Sequence, residues 1–156
     1  MPETQTVPKV SKVELNNSIT VEVNTTPEAD TPTYSSMCEA FKNVALALNE
    51  VVYSATYLSD GGFGSSTVVG MAPTVTLTGD YIKGDAVCEY LDSIQYEIGS
   101  KRVSDIKLTR NGKVITCPIT FSAIAIGGGE STAPNAISVT IAFNGKPTVT
   151  QASPTE

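Results

Sequence analysis

The sequence predicts a mainly β protein of the α+β kind: a β-sandwich with one flanking α-helix, terminal arms and long loops. Three observations carry that prediction. Several segments alternate apolar and polar residues, the period of a half-buried strand. One segment instead repeats its apolar residues at helical spacing. Asn111-Gly112 lies between two alternating runs, a strong hairpin signal because both central residues of a type I′ turn need positive φ.

In chain order, residues 1–16 are polar, carry Pro2 and Pro8, and read as an N-terminal arm. The sandwich domain is expected over 17–150, followed by a polar C-terminal tail at 151–156. Ile19, Val21 and Val23 alternate with Thr20, Glu22 and Asn24, giving a first strand. Pro27 and Pro32 make 25–33 a loop. From Met37 to Leu48, the residues Phe41, Val44, Ala45 and Leu48 have helical spacing, which predicts a short helix or an irregular packing segment. Val51, Tyr53, Ala55 and Tyr57 alternate within a strand over Glu50–Leu58.

That strand ends in a glycine-rich loop, Ser59, Asp60, Gly61, Gly62, Phe63 and Gly64, running on through Ser65 and Ser66. A loop of this kind with one aromatic side chain can order against a partner. A further strand is expected over Val68–Thr78, with Val75 and Leu77 on one side and Thr74, Thr76 and Thr78 on the other. Pro73 marks a bulge or an edge in it. The Asn-Gly hairpin joins Val103–Thr109 to Val114–Ile126, whose Ile115, Cys117, Ile119, Phe121 and Ala123 share a face. The last strong strand turns Ile137, Val139, Ile141 and Phe143 inward, and Thr148–Thr150 reads as a short edge strand. About six strands and one helix result.

The helix is expected after Gly84, where Val87, Leu91, Ile94 and Ile98 recur at i, i+4, i+7 and i+11. Asp85 stands at its N-cap, able to accept a bond from the N–H of Val87 or Cys88. Cys88 occupies the place where a capping box needs Glu or Gln, Glu89 adds a favourable charge near the positive helix end, and Gly99 is the expected stop.

Composition narrows the function classes. Ten basic residues stand against sixteen acidic ones, a net charge of −6, which argues against a DNA-binding surface. There is no histidine, the commonest general base and metal ligand. Cys38, Cys88 and Cys117 are odd in number and fit neither a zinc pattern nor a disulfide framework. No apolar run approaches the ~18 residues of a membrane span, and no signal peptide is visible, so synthesis and folding in a cytoplasm are expected.

Asp80 and Asp85, together with Asp60, are the candidates for a carboxylate site. A calcium loop needs alternating oxygen ligands with a distal Glu, which this stretch lacks, and no tryptophan points to a sugar cleft. Neither 61–64 nor 127–129 has the lysine of a phosphate-binding loop. The expectation is therefore no catalytic residue, no cofactor and no metal, with Asp85 as a helix cap.

The order Tyr57-Leu58-Ser59-Asp60-Gly61-Gly62, the glycine-containing loop, Val69-Gly70, an alternating strand into Thr78-Gly79, then Gly84-Asp85 and a helix with Tyr90, resembles bacteriophage tail tube (major tail) proteins. The similarity is to those of long-tailed phages of Gram-positive hosts, and runs from about Tyr34 to Asn144. It implies a structural virion protein without catalysis, assembled in the host cytoplasm. Six copies would form a ring, and rings would stack into a tube, joined by other tail proteins at its ends. DNA would pass through the lumen without specific binding.

The loop Ser59–Gly64 would then be an inter-ring contact, and the arm would grip a neighbouring ring. Net negative charge suits a lumen that lets DNA slide, Thr/Ser-rich strand faces suit a water-filled channel wall, and strand edges left open in a monomer need a partner. The alternative is a stand-alone adhesion or carbohydrate-binding β-sandwich. It would need a platform drawn from Tyr34, Tyr53, Tyr57, Phe63 and Tyr81.

Overall fold

The computed structural model describes residues 13–151. Residues 1–12 of the expected arm and 152–156 of the tail lie outside that range. Among the described residues, ten strands and one α-helix follow in order: β1 (Thr20–Asn24), β2 (Tyr34–Ser36), β3 (Phe41–Ala47), β4 (Val51–Ala55), β5 (Ser65–Gly70), β6 (Thr74–Asp80), α1 (Ala86–Ile94), β7 (Val103–Arg110), β8 (Lys113–Ile126), β9 (Ala136–Phe143) and β10 (Thr148–Gln151). The main sheet is antiparallel with the order β2-β1-β7-β8-β9-β6-β3, and β10 pairs the start of β8.

Val21 and Val23 of β1, Ile106 and Leu108 of β7, Ile119 and Phe121 of β8, Val139 and Ile141 of β9, and Val75 and Leu77 of β6 all belong to one buried cluster. Strands from both ends of the sheet share that core, so the sheet folds over on itself into a sandwich. Each such side chain contributes about 1.5–3 kcal/mol on burial. Met37–Ala40 link the two ends of the sheet: Met37 N donates to Val21 O at 2.8 Å and Phe41 N to Met37 O at 3.1 Å. A cavity of about 300 Å³ lined by Ile19, Val21, Phe41 and Val44 marks where β1 and β3 do not meet.

Helix α1 closes the core with Val87, Cys88, Leu91 and Ile94. Tyr90 packs edge-on against Phe121, with ring centroids 5.9 Å apart. The helix ends at Gln95, earlier than Gly99, and Ile98 is 87% exposed rather than part of the apolar stripe. Arg102 supplies the reason: its Nη2 donates to Gln95 O and its Nε to Glu97 O at 2.9 Å. The guanidinium satisfies carbonyls at and just past the helix end that a further turn would have bonded.

Three further sequence expectations are corrected. Met37–Leu48 is not helical; it holds a tight link and strand β3. The bulge between Phe41 and Asn43 shifts the alternation by one residue, so Phe41 and Val44 face the core three positions apart, imitating a helical repeat. The same device acts in β8, where the register shifts between Ser122 and Ala125 and Ala123 takes φ 50°. Ile124 and Ile126 then face the core in place of Ala123. Finally, the run expected as one strand over Val68–Thr78 is two, β5 and β6, interrupted at Met71–Pro73.

Candidate functional site

Strands β3 to β6 form one long ribbon bent at a joint. Asn49, at φ 50°, donates through Nδ2 to Ala72 O at 3.0 Å and to Thr74 Oγ1 at 3.1 Å, and Ala72 N donates to Leu48 O. Beyond the joint, β4 and β5 pair only with each other and leave the main sheet. This outer ribbon is apolar yet uncovered: Val51, Val52, Tyr53, Val68 and Val69 are exposed, Val69 at 61%. Val52 and Val68 are directly paired across the two strands, and exposed apolar surface is the kind that interaction sites present.

At the ribbon's tip, Leu58–Asp60 make a 3-10 turn in which Asp60 Oδ2 accepts from Tyr57 N at 2.9 Å. Gly61 and Gly62 then take positive φ, reversing the chain, and Phe63 stands 81% exposed. The sequence-predicted loop Ser59, Asp60, Gly61, Gly62, Phe63 and Gly64 is thus the end of a projecting hairpin. Ser65 and Ser66, expected in the loop, belong to β5.

A second surface lies on the outward face of the main sheet. Cross-strand register sets three rows across β3, β6, β9 and β8: Asn43–Thr78–Ser138–Ala125, Ala45–Thr76–Thr140–Ser122, and Ala47–Thr74–Ala142–Thr120. Every member is small and uncharged, and most carry a hydroxyl. Alternation makes this face the obligatory reverse of the core face. The rest of the outward surface differs, since Glu22, Asp105 and Lys107 lie on β1 and β7.

The rims of this face hold its remaining polar groups. Asp80, one pair beyond Thr78 on β6, meets Lys42 Nζ at 3.2 Å. At 69% and 42% side-chain exposure the pair adds little stability, but it cancels the carboxylate's charge locally. At the opposite rim, Asn144 Nδ2 donates to Thr120 Oγ1 at 2.8 Å. The two edges of the four-strand segment are open among the described residues: β3 ends the sheet path, and β7 pairs β8 only as far as Thr120.

The candidate carboxylates do not converge. Asp60 bonds at the hairpin tip, Asp80 pairs with Lys42, and Asp85 Oδ2 accepts from Cys88 N at 3.2 Å at the start of α1. Among the described residues, no group of three or more Asp, Glu, His or Cys side chains is placed to hold a metal. Glu89 Oε1 accepts from Gly84 N at 3.1 Å, one residue later than the capping-box position. Asp85→Ala is expected to cost about 1 kcal/mol, read as a shift in the urea midpoint.

Burial pushes the Cys88 and Cys117 thiols above their ordinary range, while Cys38 is exposed. Burial, then the Glu89 carboxylate, likewise raises the Tyr81 phenol.

Two features escaped sequence reasoning. Gly79 lies where β6 crosses the start of β3; a Cβ there would fall 2.6 Å from Phe41 Cα. The hydroxyl face was visible only as alternating threonines, because its rows need strand register to assemble. Among the described residues, no helix is long and apolar enough to cross a membrane.

No protein-family model matches the sequence, and no curated protein does. Solved structures do match. A chain from the tail of an empty gene transfer agent particle, determined with C6 symmetry, superposes with a TM-score of 0.70 at 13% identity, over 88% of this chain and 99% of that one. A chain of the anti-feeding prophage baseplate gives 0.60 at 6% identity, over 94% and 98%. One from the cap terminating the anti-feeding prophage tube gives 0.52 at 13%, over 97% and 95%. At such identities the likeness is one of fold: this chain has the mainly β, single-helix fold found in parts of phage-like tails.

Proposed function

We propose that the chain is a structural tail tube subunit, assembling as stacked hexameric rings around a channel that delivers DNA. The observation that carries this reading is the four-strand segment left open at both edges, β3 on one side and the end of β8 on the other. Unpaired edges of a well-formed sheet template further pairing. Joining β3 of one copy to β8 of the next is a head-to-tail contact, and such contacts make rings when the rotation closes. The C6 symmetry of the gene transfer agent tail supports six copies.

In this reading the β4–β5 hairpin, tipped by Ser59–Gly64, reaches the adjacent ring, which covers its apolar surface. The particle is a virion tail or a phage-derived one, with other tail proteins at the tube ends. Asp85 braces the helix and takes no part in chemistry.

Concentrated protein viewed by negative-stain microscopy is expected to show striated tubes with a central channel. Dispersed monomers that bind glycan would overturn the proposal in favour of an adhesion module. Removing residues 1–16 is expected to leave a folded protein that grows tubes poorly; normal-length tubes from that truncation would remove the arm from the assembly contacts.

A further inference from the structure

We infer that Tyr96 and Ile98 form an apolar clasp that covers Leu46 and Leu48 of the next copy of this chain, on the core side of the sheet. The inference rests on the ring reading above and names the side chains that seal each joint.

Tyr96 is 90% exposed and Ile98 87%, yet the backbone that carries them is held firmly. Arg102 fixes it with three bonds: Nη2 donates to Gln95 O, Nε to Glu97 O at 2.9 Å, and Nη1 to Phe121 O at 3.4 Å. A braced segment that presents two bare apolar side chains is preorganised, which lowers the ordering cost of association. Tyrosine is also among the residues on which protein contacts concentrate their affinity.

Leu46 is the matching anomaly at the far edge of the sheet. It pairs with the core residue Val75 of β6 and so faces the core side, yet it is 44% exposed. Exposure rises along β3, from buried Phe41 through half-buried Val44 to Leu46, so this end of the strand runs past the core. Leu48, just beyond the strand, is also exposed.

Strand direction and the length of the open edge bring the two places together. Strands β8, β9, β6 and β3 are successively antiparallel, so β3 runs opposite to β8. Rotation about a ring axis keeps that sense, and β3 of one copy meets β8 of the next as an antiparallel pair. The open edge of β8 is 121–126, because β7 begins its pairing with Val103 opposite Thr120. Strand β3, Phe41–Ala47, is of similar length, and β7 blocks it from sliding further. Its last residues therefore stop beside Val103, next to Arg102 and the segment 95–98. Helix α1 packs on the core side, so Tyr96 and Ile98 emerge on the side that Leu46 faces.

Cross-linking in assembled tubes tests the clasp. Cys38→Ser removes the exposed thiol and leaves two buried ones. Ile98→Cys and Leu46→Cys are then introduced together, and tubes are treated with a short bismaleimide. Denaturing gels are expected to show a covalent ladder that stops at one ring, six copies in this reading. Copies carrying only one of the two cysteines, mixed before assembly, are expected to give dimers and nothing larger.

Absence of tubes from the unmodified protein would sink the ring reading itself. Tubes in which the double variant stays monomeric would overturn the clasp and leave the tube reading standing. A ladder running past one ring would put Leu46 against the adjacent ring, which also overturns it.

A second measurement needs no cysteine: the concentration at which tubes appear for Ile98→Ala, Leu46→Ala and the pair. Each single change is expected to raise it about tenfold, with monomer melting close to the parent's. The pair is expected to raise it by less than the product, because residues in contact are coupled. Effects that simply multiply would overturn the clasp, and this cycle decides if the cysteine variants fail to assemble.

Discussion

Gly79→Ala is expected to destabilise the subunit by about 3 kcal/mol, lowering its melting temperature by about 10 °C. The added Cβ would meet backbone, not a movable side chain: Phe41 Cα at 2.6 Å and the Ala40 carbonyl carbon at 2.9 Å. The same crossing carries the bond from Asp80 N to Ala40 O at 3.0 Å and the bulge that starts β3. Relief requires β3 to lift from β6, which also loosens the edge that the proposed ring would pair. Gly70→Ala is the control. Its Cβ would contact Val51 side-chain atoms at an ordinary 3.8 Å, so melting is expected to stay close to that of the parent. Equal melting temperatures for the two variants would show that the crossing is not tight.

Val69→Asp is expected to leave the isolated chain folded and to abolish the proposed tubes. Val69 is 61% exposed on a ribbon that pairs only with itself, and surface substitutions of this kind usually stay within about 0.5 kcal/mol. In the proposed tube a neighbouring ring covers that ribbon. An aspartate there would be buried without a partner, at a cost of several kcal/mol. Each 1.4 kcal/mol is tenfold in affinity, so the concentration needed for assembly should rise by about a hundredfold or more. Thermal unfolding of the monomer and the length of tubes by microscopy separate the two effects. Normal tubes would place the hairpin outside the inter-ring contact.

Both substitutions act where local pattern and long-range pairing diverge. The hairpin around Asn111-Gly112 was legible because its cause is local: φ of 50° and 74° at those residues matches the turn their side chains favour. The inward faces of β6 and β9 were legible for the same kind of reason, since period two along an unbroken strand needs no partner to be seen. The start of α1 lies close to Asp85, within reach of one turn of sequence.

Strand β3 was not legible, because its bulge turns a period-two pattern into one that reads as helical, and only pairing with β6 decides between them. The end of α1 depended on Arg102, seven residues beyond the Gln95 carbonyl it bonds. Asp80 drew attention as a carboxylate, yet its meaning depends on Lys42, 38 residues away.

The mainly β class follows from the chain alone: strands from alternation, one helix from its repeat, and no histidine for acid–base chemistry. Tertiary structure decided how those strands are arranged. Which small residues share a face, which edges stay open and which charges cancel are set by register between distant segments. Register is fixed by the packing of whole strands, which no single window of the chain contains.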